Sequence, residues 1–394
     1  MRDPLSEKVK EIKPSGIRKF FDIVSDMPDA ISLGVGEPDF ETPWHIREEG
    51  IYSLEKGRTH YTSNAGLKEL KQEIAAYLHR KFQLTYHPQN EILVTVGGSE
   101  AIDVAMRAML NPGDEVLIPQ PSYVAYLPCT TLADGVPVII NLQEKNEFKL
   151  TPEELEAAIT PKTKILVLPF PNNPTGSVMN REELEKIAKV IIEHDLWVVS
   201  DEIYSELSYQ EPHVSIASLP GMAERTIVIN GFSKSYAMTG WRLGYAAGPE
   251  RVISQMTKIH QFCIMCAPTT SQFAAVEALR NGDEDVAHMK EVYNQRRRYL
   301  MHAMREMNLD CFEPFGAFYI FPNISRFGMT SDEFATKLLM KEQVAVVPGT
   351  AFGDCGEGFV RISYAYSLET LKKAMERIRR FIKWLDAGQP EDWL

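Results

Sequence analysis

The chemistry of this chain gathers around Lys234. It lies in Ser233-Lys234-Ser235-Tyr236-Ala237-Met238-Thr239-Gly240-Trp241-Arg242. Ahead of it runs Thr226-Ile227-Val228-Ile229-Asn230, short, β-branched and closed by Gly231, which reads as a buried strand. The lysine thus falls just past the carboxyl end of a strand, where open α/β sheets place their ligands. An amine taken out of water there has a lowered pKa and becomes a nucleophile. Arg242 keeps its charge and suits a phosphate. An amine for an aldehyde and a fixed cation for a phosphate are what pyridoxal phosphate requires. A surface lysine and arginine around a glycine turn would read the same in isolation.

Three further stretches stand at strand ends. Gly97-Gly98-Ser99-Glu100 follows a strand and opens a helix, whose free N–H groups and Ser99 hydroxyl make an anion site; taken alone, it reads instead as an ordinary strand–helix turn with Ser99 as N-cap. Pro171-Asn172-Asn173-Pro174-Thr175-Gly176 is a stiff loop that presents the Asn173 amide to a ring oxygen, or is simple turn chemistry. In Ser200-Asp201-Glu202-Ile203-Tyr204 the Asp201 carboxylate can pair with a pyridinium nitrogen and the Tyr204 phenol with a ring oxygen; the alternative is a helix cap at Asp201. Taken together, these groups converge on the strand ends of one sheet, which turn chemistry does not explain.

The elements that must position them follow from hydrophobic periodicity. Strand-like runs occur at Ile92–Val96, Glu115–Ile118, Val136–Leu142, Lys164–Pro169, Leu196–Ser200, Thr226–Asn230 and Gly244–Ala247. Helical patterns lie between them, such as Ile102, Ala105, Met106, Met109 and Leu184, Ile187, Ala188, Ile191, Ile192. This alternation predicts a largely parallel sheet covered on both faces. Beyond about residue 285 the rhythm changes. A charged helix through Met289–Met307, runs at Gly316–Phe321, Val344–Val347 and Phe359–Ser363, and a closing helix carrying Leu371, Ala374, Met375, Ile378, Ile382 and Leu385 predict a smaller α+β domain. The expected division is a large domain over 46–285 and a small one built from 1–45 plus 286–394. Gly34-Val35-Gly36 is no dinucleotide fingerprint, since the third glycine is missing and Pro38 blocks a helix start. Its glycines allow close backbone approach to a ligand, or simply make a turn.

The chain has 394 residues, 44% hydrophobic, and a net charge of −12. Nothing resembles a nucleic-acid footprint, and Arg296-Arg297-Arg298 reads as a solvated helix face. No apolar run reaches a membrane span, and no leader is visible. Five cysteines argue for a reducing, cytoplasmic setting. Cys263 and Cys266, among Phe262, Ile264 and Met265, read as buried packing thiols. The nine histidines show no metal-binding spacing, and no metal is expected.

With Asn173-Pro174-Thr175-Gly176, Asp201-Glu202-Ile203-Tyr204 and Ser233-Lys234 followed by Gly240 and Arg242, the chain resembles the class I pyridoxal-phosphate aminotransferases of fold type I over essentially its whole length. It is most similar in look to the bacterial aromatic and N-acetyl-diaminopimelate aminotransferase branch. The resemblance implies a mostly parallel seven-stranded sheet covered by helices, with a smaller α+β domain, and transfer of an amino group from an amino acid to a 2-oxo acid such as 2-oxoglutarate. It implies that Lys234 holds the cofactor aldehyde and then shuttles a proton, that Asp201 pairs with the ring nitrogen, and that Asn173 and Tyr204 bond the ring oxygen. Tyr123 would stack on the ring. Gly98, Ser99, Ser233 and Arg242 would hold the phosphate, with Tyr61 reaching the phosphate of a second subunit in a homodimer. Arg361 would grip the substrate α-carboxylate beside Gly36. Ser15-Gly16-Ile17-Arg18-Lys19-Phe20 matches the segment at the active-site entrance, with Ile17 facing substrate. In two places the chain departs from the family: Gly231 stands where a second phosphate serine is usual, and Cys266-Ala267-Pro268 stands where the aspartate branch has its distal arginine. An apolar or aromatic donor is therefore the expected substrate; the alternative is that a basic residue such as Arg18 reads a distal carboxylate, which would give dual or diaminopimelate-type specificity. A carbon–sulfur β-lyase on the same scaffold remains an alternative, as does a cofactor-sensing regulator, although a regulator would need a DNA-binding module.

Overall fold

The structure is a computed structural model that describes residues 2–14, 27 and 29–389. After the short strand β1 (Ile31–Ser32) the chain builds a sheet from β2 (Ile92–Thr95), β3 (Glu115–Gln120), β4 (Val136–Asn141), β5 (Thr163–Leu168), β6 (Trp197–Asp201), β7 (Thr226–Gly231) and β8 (Gly244–Ala247). Their order is β2-β8-β7-β6-β5-β3-β4. Only β8 runs antiparallel to its neighbours, β2 and β7. All six residues of β7 are buried, as a strand covered on both faces must be, which is why it reads as an unbroken apolar run. The cover comes from helices such as Gly97–Met109, where Ile102, Ala105 and Met106 are buried, and Arg181–Glu193, which starts with a reciprocal Asn180–Glu183 capping box.

The remaining strands are β9 (Tyr319–Ile320), β10 (Val344–Ala345), β11 (Val347–Pro348) and β12 (Val360–Ser363). The run expected as one strand at Val344–Val347 is split in two because it serves two sheets: β10 pairs with β1 and β11 with β12. Leu33, next to β1, packs in one core with Leu371, Ile378 and Ile382 of the last helix, so the early chain and the C-terminal part share a core.

Two surface expectations are corrected. Arg296 and Arg297 are not a solvated face: they are 8% and 6% exposed. Arg296 pairs with Asp39 at 2.7 Å and Arg297 with Glu313 at 2.8 Å, and these distant acids make burial tolerable. Cys263 is exposed and Cys266 half-buried, because the helix Glu250–Cys263 ends there on an apolar surface that leaves Phe262 85% exposed.

Candidate active site

Each strand of the sheet's centre delivers one group to its carboxyl end. The β7 turn carries Ser233 and Lys234, β6 ends on Asp201, β5 leads to Asn173 and β3 to Tyr123. From the smaller core come Arg361 on β12 and Tyr319 on β9. One cavity of about 350 Å³ is lined by Gly36, Gly98, Ser99, Tyr123, Asn173, Asp201, Tyr204, Ser233, Lys234, Arg242 and Arg361 among others. Tyr61 is elsewhere, on the surface and 79% exposed. Ile17 and the entrance segment around it lie outside the described residues.

The amine of Lys234 donates to the Gly36 carbonyl at 2.5 Å. Burial pushes its pKa down to about 8; Glu37 opposes that shift, and Arg361 and Arg242 reinforce it. The amine is thus poised to act as nucleophile and base near neutral pH. Burial raises the Asp201 acid, and two donors work against this: the Tyr126 hydroxyl at 2.7 Å and the Ile203 N–H at 3.2 Å.

The phosphate end differs in detail from the sequence reading. The helix begins at Gly97, so Ser99 sits in the first turn rather than at a cap, and its hydroxyl lies 3.1 Å from that of Tyr123. Gly97, not Gly98, is the position that demands glycine: its φ is +79° and a Cβ there would lie 2.7 Å from Arg242 Nη2. Arg242 is itself left-handed, φ 53°, and donates to the Thr239 carbonyl at 2.9 Å. The glycine at 231 has its own reason. A Cβ there would come within 3.0 Å of Gly244 Cα and 3.1 Å of the Leu243 carbonyl, where β7 and β8 pair.

Arg361 is 2% exposed. Its Nη1 donates to Asn173 Oδ1 at 2.8 Å, its Nη2 to the Gly34 carbonyl at 2.5 Å, and its Nε has no hydrogen-bond partner among the described residues. The guanidinium lies 4.5 Å from the Tyr319 ring and 4.7 Å from that of Phe352. A buried cation held by neutral acceptors is costly unless an anion arrives. Sequence reasoning missed Tyr126 and Tyr319, whose hydroxyl lies 2.8 Å from that of Tyr204. Nothing local marks either one; the spacing of Tyr126, three residues after Tyr123, was the one available signal.

A desolvated lysine, a buried acid, a glycine-based anion cup closed by an arginine and a second, unpaired arginine, all at the carboxyl edge of this sheet, define a pyridoxal-phosphate-dependent enzyme. The cup fits the cofactor phosphate because Gly97 leaves the helix start open, and the orphaned Arg361 Nε fits a substrate carboxylate. Comparison with known proteins agrees. The chain matches the family described as aminotransferase class I and II over residues 28–378, and it belongs to that family. A Bacillus subtilis relative, YugH, whose name places it among the aminotransferases, is 54% identical over 97% of this chain and 99% of the relative. An aspartate aminotransferase of Pyrococcus abyssi is 47% identical over 96% of this chain and 98% of its own length. The solved aromatic aminotransferase of Pyrococcus horikoshii aligns with a TM-score of 0.89 at 45% identity, covering 95% of this chain and 100% of that one. The protein is an aminotransferase of fold type I that uses pyridoxal 5′-phosphate, in a homodimeric family acting on amino acids and 2-oxo acids. The β-lyase and regulator alternatives find no support among these relatives. Among the described residues no helix is long and apolar enough to cross a membrane.

Proposed function

We propose that the chain moves the amino group of an amino acid with an apolar or aromatic side chain to a 2-oxo acid such as 2-oxoglutarate, in two half-reactions. One observation carries the substrate choice. Among the described residues, the only lysines or arginines lining the cavity are Lys234, Arg242 and Arg361, while Val35, Pro169, Pro171, Tyr123 and Tyr319 also line it. With Arg242 engaged at the phosphate and Arg361 at the α-carboxylate, a distal carboxylate meets no cation among the described residues. When bound, the cofactor supplies an aldehyde and an electron-withdrawing ring.

On this reading, Arg361 binds the substrate α-carboxylate beside Gly36, as a fork suits a carboxylate. Lys234 would hold the cofactor aldehyde until the substrate amine displaces it, and the freed Lys234 amine would then carry the proton from the substrate Cα to the cofactor's C4′. Asp201, oriented by Tyr126, faces the ring nitrogen. Asn173 spends its carbonyl on Arg361 and keeps its NH₂ for the ring oxygen, where Tyr204 also donates. Tyr123 covers the ring. The Gly98 N–H, Ser99, Ser233 and Arg242 hold the phosphate, and Tyr61 reaches the other subunit's phosphate in the dimer. The large domain spans 46–285, and the small one joins 1–45 to 286–394. Five unpaired cysteines suit a cytoplasmic enzyme.

A panel of amino donors with 2-oxoglutarate, compared by kcat/KM, tests the substrate class. A hydrophobic pocket discriminates by about 1–3 kcal/mol per methylene, so a graded profile led by phenylalanine or tyrosine is expected. A preference for aspartate by several orders of magnitude would refute it.

A further inference from the structure

Glu202 follows Asp201 directly, is fully buried and does not line the cavity. Alternation along the strand end turns the two carboxylates to opposite sides. Asp201 meets Tyr126, while Glu202 meets a separate set of donors. Its Oε1 accepts from Ser200 Oγ at 2.8 Å and from Ser215 Oγ at 2.6 Å. Its Oε2 lies 3.0 Å from His213 Nε2, and the His213 side chain is 8% exposed. None of these residues lines the cavity.

A tie between β6 and the 213–215 segment needs only hydrogen bonds. A glutamine amide would supply them without the desolvation cost of a buried carboxylate, which runs to several kcal/mol per ion. What the carboxylate adds is charge, one residue from Asp201. Beside Asp201 that charge opposes ionisation: burial is the main cause that raises the Asp201 acid, and Glu202 adds to it. Both acids therefore favour a positive charge in front of Asp201. We propose that Glu202 is a positioning residue acting through Asp201: its negative charge raises the proton affinity of the site that Asp201 faces and keeps the cofactor's ring nitrogen protonated. The inference rests on the reading that Asp201 faces that nitrogen.

The test uses holoenzyme carrying pyridoxal phosphate labelled with ¹⁵N in the ring, with the nitrogen chemical shift followed against pH. Glu202→Gln should move the ring nitrogen toward its unprotonated shift, with proton affinity down about tenfold, the one-unit effect of a nearby charge. It should lower kcat with little change in KM. His213→Arg pins a cation beside Glu202 while leaving the carboxylate bonded. It should move the shift the same way, and it provides the measurement should the glutamine variant fail to fold. Ser215→Ala removes one bond but no charge and should leave the shift at its wild-type value. A wild-type shift in both Glu202→Gln and His213→Arg, with only thermal stability lowered, would overturn the proposal and leave Glu202 a structural tie. Asp201→Asn separates the two levels. If it too leaves the nitrogen unmoved, the Asp201 reading fails; if it alone moves the nitrogen, only the Glu202 proposal fails.

Discussion

Replacing Gly97 with alanine tests the geometry of the phosphate cup, and two separable costs follow from the structure. The first is conformational. A residue with a Cβ held at φ +79° is strained by about 1–2 kcal/mol, and this lowers the stability of the cofactor-free and cofactor-bound forms alike. The second falls on the cup itself. The new Cβ would lie 2.7 Å from Arg242 Nη2 and 3.3 Å from Cζ, against about 3.5–4.0 Å for comfortable contact. The guanidinium must retreat by about an ångström from a position also tied to the Thr239 carbonyl. A charge-assisted hydrogen bond contributes about 1.5–3 kcal/mol, so losing one to the cofactor phosphate weakens binding roughly 10- to 150-fold. Absorbance titration of the cofactor-free variant gives the dissociation constant, and melting of both forms gives the strain. Gly98→Ala is the control, because its Cβ would meet Ile229 at an ordinary 3.6 Å; binding within about threefold of wild type is expected from so soft a contact. Wild-type affinity in Gly97→Ala, or a larger loss in Gly98→Ala, would show that Arg242 does not hold the phosphate from this position.

Lys234→Ala should abolish transamination, and a borohydride-reducible adduct mapped to another lysine would contradict the assignment. In the cofactor-free protein, capture of an aldehyde by Lys234 should rise through about pH 8, since the neutral amine is the nucleophile and exists above its pKa; a rise delayed to about pH 10.4, the ordinary lysine value, would contradict the desolvated environment. Tyr126→Phe removes the hydroxyl that donates to Asp201; it should lower kcat roughly tenfold, as the loss of about 1.5 kcal/mol from a hydrogen bond to a charged group implies, and unchanged kinetics would remove Tyr126 from the site. Arg361→Gln should raise KM for every amino donor by at least about tenfold, the lower end for a lost charge-assisted bond; a loss confined to acidic donors would instead make Arg361 the distal reader.

What could be read from sequence was local, and what could not was long-range. The strands of the seven-stranded sheet were legible to within a residue or two because parallel strands covered on both faces leave an unbroken apolar run, and β7 is buried at all six positions. Lys234, Asp201 and Asn173 were legible because each sits in a turn whose residue types are unusual together. Gly97 and Gly98 are the same letter twice, and only the backbone angle shows which of them tolerates no side chain. Arg296 looked like one charge in a solvated run because its counter-charge, Asp39, lies 257 residues away. Tyr126 drew no reading because the acid it serves is 75 residues on. Tyr319 looked like strand core, yet a Cβ on Gly36 would sit 2.6 Å from its hydroxyl and Arg361 stacks on its ring. That last case shows the physical reason. Lys234 donates to Gly36, Gly36 has no room for a side chain because of Tyr319, and Tyr319 touches both Tyr204 and Arg361. The residues that could be named from sequence are those whose chemistry is in the side chain itself. The two that were missed, Tyr126 and Tyr319, meet other side chains of the site through their hydroxyls, and their work is to hold those side chains in place.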